Sequence, residues 1–346
     1  MAGGTALWFQ SGRTWSPAAS ANADGAIPLA GVRSTPISEP ALRPVELKVS
    51  TSQPEIELPE TPDATPAAPP AAADPSADVV KPVLPTTQPT TLPADGSSAD
   101  AQDEAQAGLE ALARKDLLTA RSLLNRAFVG GVPAEQSKVI REKLVMIAAE
   151  TIFTYRTVKN DPLCEYYTVR SGDTLRRIAD RHHVSEDLLA QVNNIRNKNY
   201  VREGQRLKVI KGPFHATVSK PEHVLHVYLQ DVYVGTFPVA LGVGGSTPAG
   251  RWQVVNHQEN PGWNDPRTGK RWHPDDPENP IGEFWIGLEG IEGDAVGQMG
   301  YGIHGTIEPE TIGQDVSLGC VRLAAEDIAF IYKLLLPGES LVTITE

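Results

Sequence analysis

The chain has 346 residues, 40% hydrophobic and 21% charged, enough for two or three compact domains. Its net charge of −12 makes it a poor match for nucleic acid, whose phosphates call for a basic surface. Two cysteines, Cys164 and Cys320, rule out a disulfide scaffold and a four-cysteine zinc site, and leave one possible bridge between them.

Residues 1–100 are rich in Pro, Ala, Thr and Ser and hold 5 basic and 11 acidic side chains. Runs such as Thr61-Pro62-Asp63-Ala64-Thr65-Pro66 carry few large apolar residues, so nothing offsets the entropy of ordering them. This predicts a disordered, partly extended tether. Over residues 101–157 the pattern turns helical. Leu109, Leu112, Leu117, Leu123 and Leu124 fit two short helices broken near Lys115-Asp116. After the turn Gly130-Gly131-Val132-Pro133, a third helix carries Ile140, Leu144, Ile147 and Thr151 on one face. A spacer packed on its neighbours is the expectation, with a docking surface as the alternative.

Residues 164–211 hold 10 basic and 6 acidic side chains and read as strand, helix, helix, strand. Tyr166 to Val169 alternate as a strand, and Asp173 or Thr174 caps a helix with Leu175, Ile178 and Ala179 on one face. Val184-Ser185 opens a second helix, and Gly204-Gln205 turns into the strand Arg206–Val209. The run Tyr167-x-Val169-x-x-Gly172-Asp173-Thr174-Leu175-x-x-Ile178-Ala179, with Val184, Leu188, Asn193-x-Ile195 and Gly204-Gln205-x-Leu207-x-Val209, resembles a LysM domain, a small βααβ module. The resemblance implies binding of N-acetylglucosamine-containing glycan strands in a shallow groove between the first strand–helix loop and the second helix–strand loop. It points to Gly172, Asp173, Thr174, Asn193 and Ile195 as sugar contacts. Asp173 and Thr174 also suit helix caps, and Ile195 also suits a core position.

From residue 214 the pattern is β. Val224 to Leu229 and Val232 to Ala240 form a hairpin, and Arg251 to Val255 a further strand. Residues 257–283 are polar and Pro-rich, and a loop of that length is usually functional. Strands resume at Phe284–Gly287 and Leu341–Ile344, with one helix carrying Ile328, Ile331, Tyr332 and Leu335 before Pro337-Gly338. A mainly antiparallel sandwich or barrel-like sheet is expected over residues 214–346.

The chemistry lies in Gly302-Ile303-His304-Gly305-Thr306 and Ser317-Leu318-Gly319-Cys320-Val321-Arg322. A thiol becomes a nucleophile once deprotonated, and an imidazole within reach can take the proton. Gly319 lets backbone approach the thiol, and amides around Cys320 could hold an oxyanion. Arg322, two residues on, lies on the same side of an extended chain, where its charge could favour thiolate or hold a carboxylate. These motifs, with Thr247-Pro248-x-Gly250 and Trp285-Ile286-Gly287, resemble the L,D-transpeptidase (YkuD) catalytic domain. The resemblance implies Cys320 as nucleophile, His304 as base and then acid, and the Gly305 carbonyl orienting the ring. It implies a site that also includes Gly319, Arg322 and Ser317, with Thr306, Trp285 and Tyr301 against substrate. Leu318 stands where many relatives carry histidine.

The implied substrates are peptidoglycan stem peptides, joined in 3–3 crosslinks through a thioester. L,D-carboxypeptidase activity and a non-catalytic wall-binding role are the alternatives. His223, His226, His257 and His273 stand in no metal-ligand spacing, so neither metal nor other cofactor is expected. Such an enzyme works in the bacterial envelope, outside the cytoplasmic membrane. No segment reaches the roughly 18–20 apolar residues of a membrane span, and Ala6-Leu7-Trp8-Phe9 is too short for a secretory signal. The native reading frame is therefore expected to begin upstream, with an export segment.

Overall fold

The computed structural model describes residues 99–346. The expected tether lies outside them save for Ala99 and Asp100, which open the first helix. That helix, α1 (Ala99–Ala113), is followed by α2 (Leu117–Val129) and α3 (Ala134–Thr151). The break falls where Asp116 accepts a hydrogen bond from the Thr119 amide at 3.2 Å and caps α2. Leu124, Phe128, Ile140, Leu144 and Ile147 fill the interior, and Tyr233 from the distant β-domain closes it. Asn125 pins the same strand, accepting from the Tyr233 amide at 2.9 Å and donating to the Asp231 carbonyl at 3.2 Å. The helices thus pack on the sheet as a wall.

Next come β1 (Cys164–Thr168), α4 (Leu175–Arg181), α5 (Glu186–Val192) and β2 (Arg206–Ile210), with β1 and β2 antiparallel. Thr174 and Ser185 cap the two helices through the amides of Arg177 and Leu188. A buried ion pair, Arg121 with Asp161 at 2.5 Å, ties α2 to the segment entering β1. Asp161 also accepts from the Leu163 amide, so its charge is hydrogen-bonded on several sides, as a buried carboxylate needs.

The remaining strands are β3 (Phe214–Ser219), β4 (Val224–Leu229), β5 (Val232–Pro238), β6 (Leu241–Gly242), β7 (Gly250–Glu259), β8 (Trp263–Asn264), β9 (Arg271–Trp272), β10 (Phe284–Gly293), β11 (Tyr301–His304), β12 (Asp315–Ser317), β13 (Val321–Arg322) and β14 (Leu341–Thr345). Eight of them make one sheet in the order β13-β11-β10-β7-β14-β3-β4-β5, a single curled sheet where a sandwich was one expectation. Its pairs are antiparallel except β11 with β13 and β14 with β3. Helix α6 (Ala325–Leu334) buries Ile328, Ile331 and Leu334. Strand β4 buries both faces, because α3 covers the side that carries His226. The polar segment starts later than expected, since β7 runs to Glu259; it then forms the hairpin β8–β9, on which Trp263 and Trp272 stack at 5.1 Å.

Both cysteines are free thiols: Cys164 is buried and Cys320 half-buried.

Candidate active site

The parallel pairing of β11 with β13 sets His304 against Arg322, at one end of the sheet. Cys320 lies two residues before Arg322, and its thiol donates to the Gly300 carbonyl just before β11, at 3.8 Å. Cys320 lies sixteen positions beyond His304, and the chain between them folds back so that β13, which Cys320 immediately precedes, runs beside β11, which His304 ends.

The Cys320 loop is held from inside. Ser317 Oγ donates to the Cys320 carbonyl at 2.7 Å and accepts from the Gly319 amide at 3.0 Å. Gly319 has φ +134°, and a Cβ there would fall 2.6 Å from Tyr301 Cε1 and 2.7 Å from the Ser246 carbonyl oxygen, so only glycine fits. Thr247 Oγ1 donates to the Gly319 carbonyl at 2.9 Å and accepts from the Gly242 amide at 2.8 Å. Thr247 is buried and was legible in sequence as part of a supporting motif; its contact with the loop was not.

His304 is buried and close to Gly305: Nδ1 lies 2.6 Å from that residue's carbonyl oxygen. Only a donor fits against that oxygen, so Nδ1 carries the proton and Nε2 is left with its lone pair. Burial pulls the imidazole pKa down to about 4; the Gly305 bond opposes this and the Arg322 charge adds to it. Burial likewise pushes the Cys320 thiol up, against the Gly302 backbone and the Arg322 charge, which favour thiolate. At neutral pH the resting pair is therefore thiol and neutral imidazole.

Trp285, opposite His304 in the β10–β11 register, lies nearly parallel to its ring, 5.8 Å away at 17°. Tyr301 leans on Trp252 and on the bare Cα of Gly319. Thr306 turns its hydroxyl to the Glu308 amide at 3.0 Å, and Glu308 lies 3.7 Å from the Arg322 guanidinium. Thr306 and Ser317 thus spend their hydroxyls on backbone. The Gly319 amide is engaged by Ser317, which leaves the Cys320 amide, untaken among the described residues, as the donor able to meet an oxyanion.

In the βααβ module the expected sugar contacts divide. Asp173 accepts from the Tyr167 hydroxyl at 2.6 Å, from the Arg170 amide at 2.8 Å and from Arg181. These bonds, the tyrosine's foremost, hold its pKa down to about 2. Thr174 is the α4 cap, and Asn193 donates to the Leu189 and Lys208 carbonyls and accepts from the Lys208 amide. Gly172 sits at the turn with φ +80°. Three of the five therefore use their polar atoms inside the module. A concavity of about 580 Å³ lies along the α5–β2 loop instead, lined by Asn193 and Ile195 and also by Arg196, Asn197, Tyr200 and Arg202. Tyr200, 61% exposed, had no sequence signal beyond being aromatic in a loop.

Comparison with known proteins bears on both regions. A family model of the L,D-transpeptidase catalytic domain, YkuD, matches residues 213–344, and one of the LysM domain matches residues 167–209. The protein named L,D-transpeptidase YkuD in Bacillus licheniformis is 32% identical over 187 residues, covering 52% of this chain and 98% of that protein. Its Bacillus subtilis namesake is 31% identical over 51% of this chain and 97% of its own length. The chain belongs to the YkuD L,D-transpeptidase family. Among solved structures, L,D-transpeptidase 3 from Mycobacterium tuberculosis aligns at 17% identity over 41% of this chain and 66% of that chain, with a TM-score of 0.32.

The chain therefore carries a transpeptidase catalytic domain preceded by a LysM peptidoglycan-binding domain, an organisation associated with the cell wall. Among the described residues no helix is long and apolar enough to cross a membrane, and no cluster of acidic, histidine and cysteine side chains could hold a metal.

Proposed function

We propose that Cys320 is the acyl-carrying nucleophile of a peptidoglycan L,D-transpeptidase that forms 3–3 crosslinks outside the cytoplasmic membrane. The observation that carries this is a braced Cys320 loop beside a neutral His304 whose Nδ1 proton is fixed on Gly305. As the sulfur attacks the stem carbonyl before the terminal D-alanine, its proton passes to His304 Nε2 and the carbonyl oxygen becomes an oxyanion facing the Cys320 amide. Nε2–H then protonates the departing D-alanine amine, leaving a thioester. The side-chain amine of a neighbouring stem attacks next and gives its proton to Nε2. The tetrahedral adduct collapses, the C–S bond breaks, and the sulfur recovers its proton. Buried His304 starts each half-reaction as a base, as this sequence requires. Arg322 sits where it can stabilise negative charge on sulfur.

The test is incubation with tetrapeptide-bearing muropeptides and mass analysis of the products. A crosslinked dimer with one D-alanine lost per bond is expected, as is a carbapenem adduct on Cys320 that Cys320→Ala abolishes. Tripeptide alone would assign hydrolysis in place of transfer, and an adduct on Cys164 would overturn the nucleophile.

A further inference from the structure

The joint between the LysM module and the catalytic sheet has none of the features of a linker. Only residues 211–213 separate β2 from β3. The Gly212 amide donates to the His182 carbonyl at 2.8 Å, and a Cβ on Gly212 would fall 1.9 Å from the His183 carbonyl oxygen. Helix α5 is latched to α6: Ser185 Oγ donates to the Lys333 carbonyl at 2.6 Å, and Lys333 Nζ donates to Gln191 at 3.0 Å. Phe153 packs on both Phe214 and Phe330, and the module's interior residues Ile178, Leu188 and Val209 belong to the same core as Leu225 and Ile331.

The groove and the nucleophile are also linked in space. Lys198, in the groove's loop, binds Asp187 of α5 at 2.7 Å, and α6, latched to α5, sets Ile328 3.4 Å from the substituent position of Gly305 and Tyr332 against Phe284 of β10 with ring centroids 4.9 Å apart. Glu259 ends β7 opposite Phe284, and the next residue of β10, Trp285, stands opposite His304. The segment that follows Glu259 returns through Gly282, whose substituent position lies 3.4 Å from the Gly305 Cα.

We propose that the groove around Tyr200 and the Cys320 centre are two ends of one rigid site, so that the substrate is a stem peptide still borne on its glycan strand. The inference rests on the transpeptidase reading above. A flexibly attached module would only raise the local concentration of stems. A fixed one orients them, turning glycan binding into a gain at the reacting carbonyl.

The experiment measures kcat/KM for D-alanine release from free tetrapeptide and from stems on glycan chains of one to six disaccharides. The enzymes are the native chain and a variant with eight Gly/Ser residues inserted after Lys211. The native chain is expected to prefer glycan-borne stems at least tenfold, with a step at one chain length and no gain beyond it. The insertion is expected to abolish the step while free-tetrapeptide turnover and retention on insoluble peptidoglycan stay within twofold. A preference unchanged by the insertion would overturn the proposal. So would native rates that are equal for free and glycan-borne stems, or that climb steadily with chain length. The chain-length series needs only the native chain and decides the matter if the insertion fails to fold. Absence of D-alanine release from every substrate would instead sink the transpeptidase reading.

Discussion

Ser317→Ala separates a brace from a catalytic group. The hydroxyl makes two bonds, at 2.7 Å to the Cys320 carbonyl and at 3.0 Å to the Gly319 amide, and the side chain is 2% exposed. Each such bond contributes about 0.5–1.5 kcal/mol, and a buried group left unpaired costs about 1–3 kcal/mol. Alanine fills nearly the same volume, so little cavity cost is added. The expected loss is therefore about 2–4 kcal/mol in urea unfolding, as a lower midpoint with unchanged slope. Carbapenem acylation of Cys320, followed by mass, should slow as well, because the Cys320 amide loses its anchored neighbour. Ser317→Thr, which keeps the hydroxyl, should recover part of both. A variant as stable as the native chain but inactive would refute this account and return Ser317 to the chemistry.

The rate of Cys320 acylation should fall on the acid side near pH 4, well below the ordinary histidine range, as His304 gains a proton. The same depression means that the unfolded chain binds a proton the folded one refuses, so His304 lowers stability as pH falls from about 6.5 through about 4, measurable as a falling urea midpoint. Trp285→Ala removes the ring stacked on His304 and admits water; the acid limb of kcat/KM should move up toward 6.5 and kcat should drop. An unmoved limb would show that the stack does not hold the imidazole. Asp173→Asn should lower the melting temperature most above pH 4, and the difference should shrink as pH falls from about 4 through about 2, while retention on peptidoglycan persists. Loss of retention without loss of stability would restore Asp173 as a sugar contact.

Local sequence made much of this readable. The i, i+4, i+7, i+11 spacing of Ile140, Leu144, Ile147 and Thr151 found α3, and Asp173-Thr174 and Val184-Ser185 marked the starts of α4 and α5. Gly319 could be read as a close-approach residue because its neighbours in the motif demanded it. Contacts between residues distant in the chain could not be read. Lys208 alternates along β2 as a solvent-facing lysine should, yet it is fully buried, donating to the Thr151 and Arg156 carbonyls. Phe153, just past α3, wedges against Phe214 and Phe330, a contact no local pattern announces. The LysM motif named Asp173 and Asn193 but could not say whether their polar atoms face a ligand or their own backbone, because both uses demand the same residue types.

The resting thiol of Cys320 has a consequence beyond catalysis. Oxidants and alkylating agents attack thiolates, and burial keeps this sulfur protonated until a substrate engages it. Under the proposed function, outside the cytoplasmic membrane, the cytoplasm's reductants are not at hand to repair a sulfenic acid. A thiol that is chemically quiet when idle survives there, and iodoacetamide should label Cys320 more slowly than it labels a free cysteine in solution.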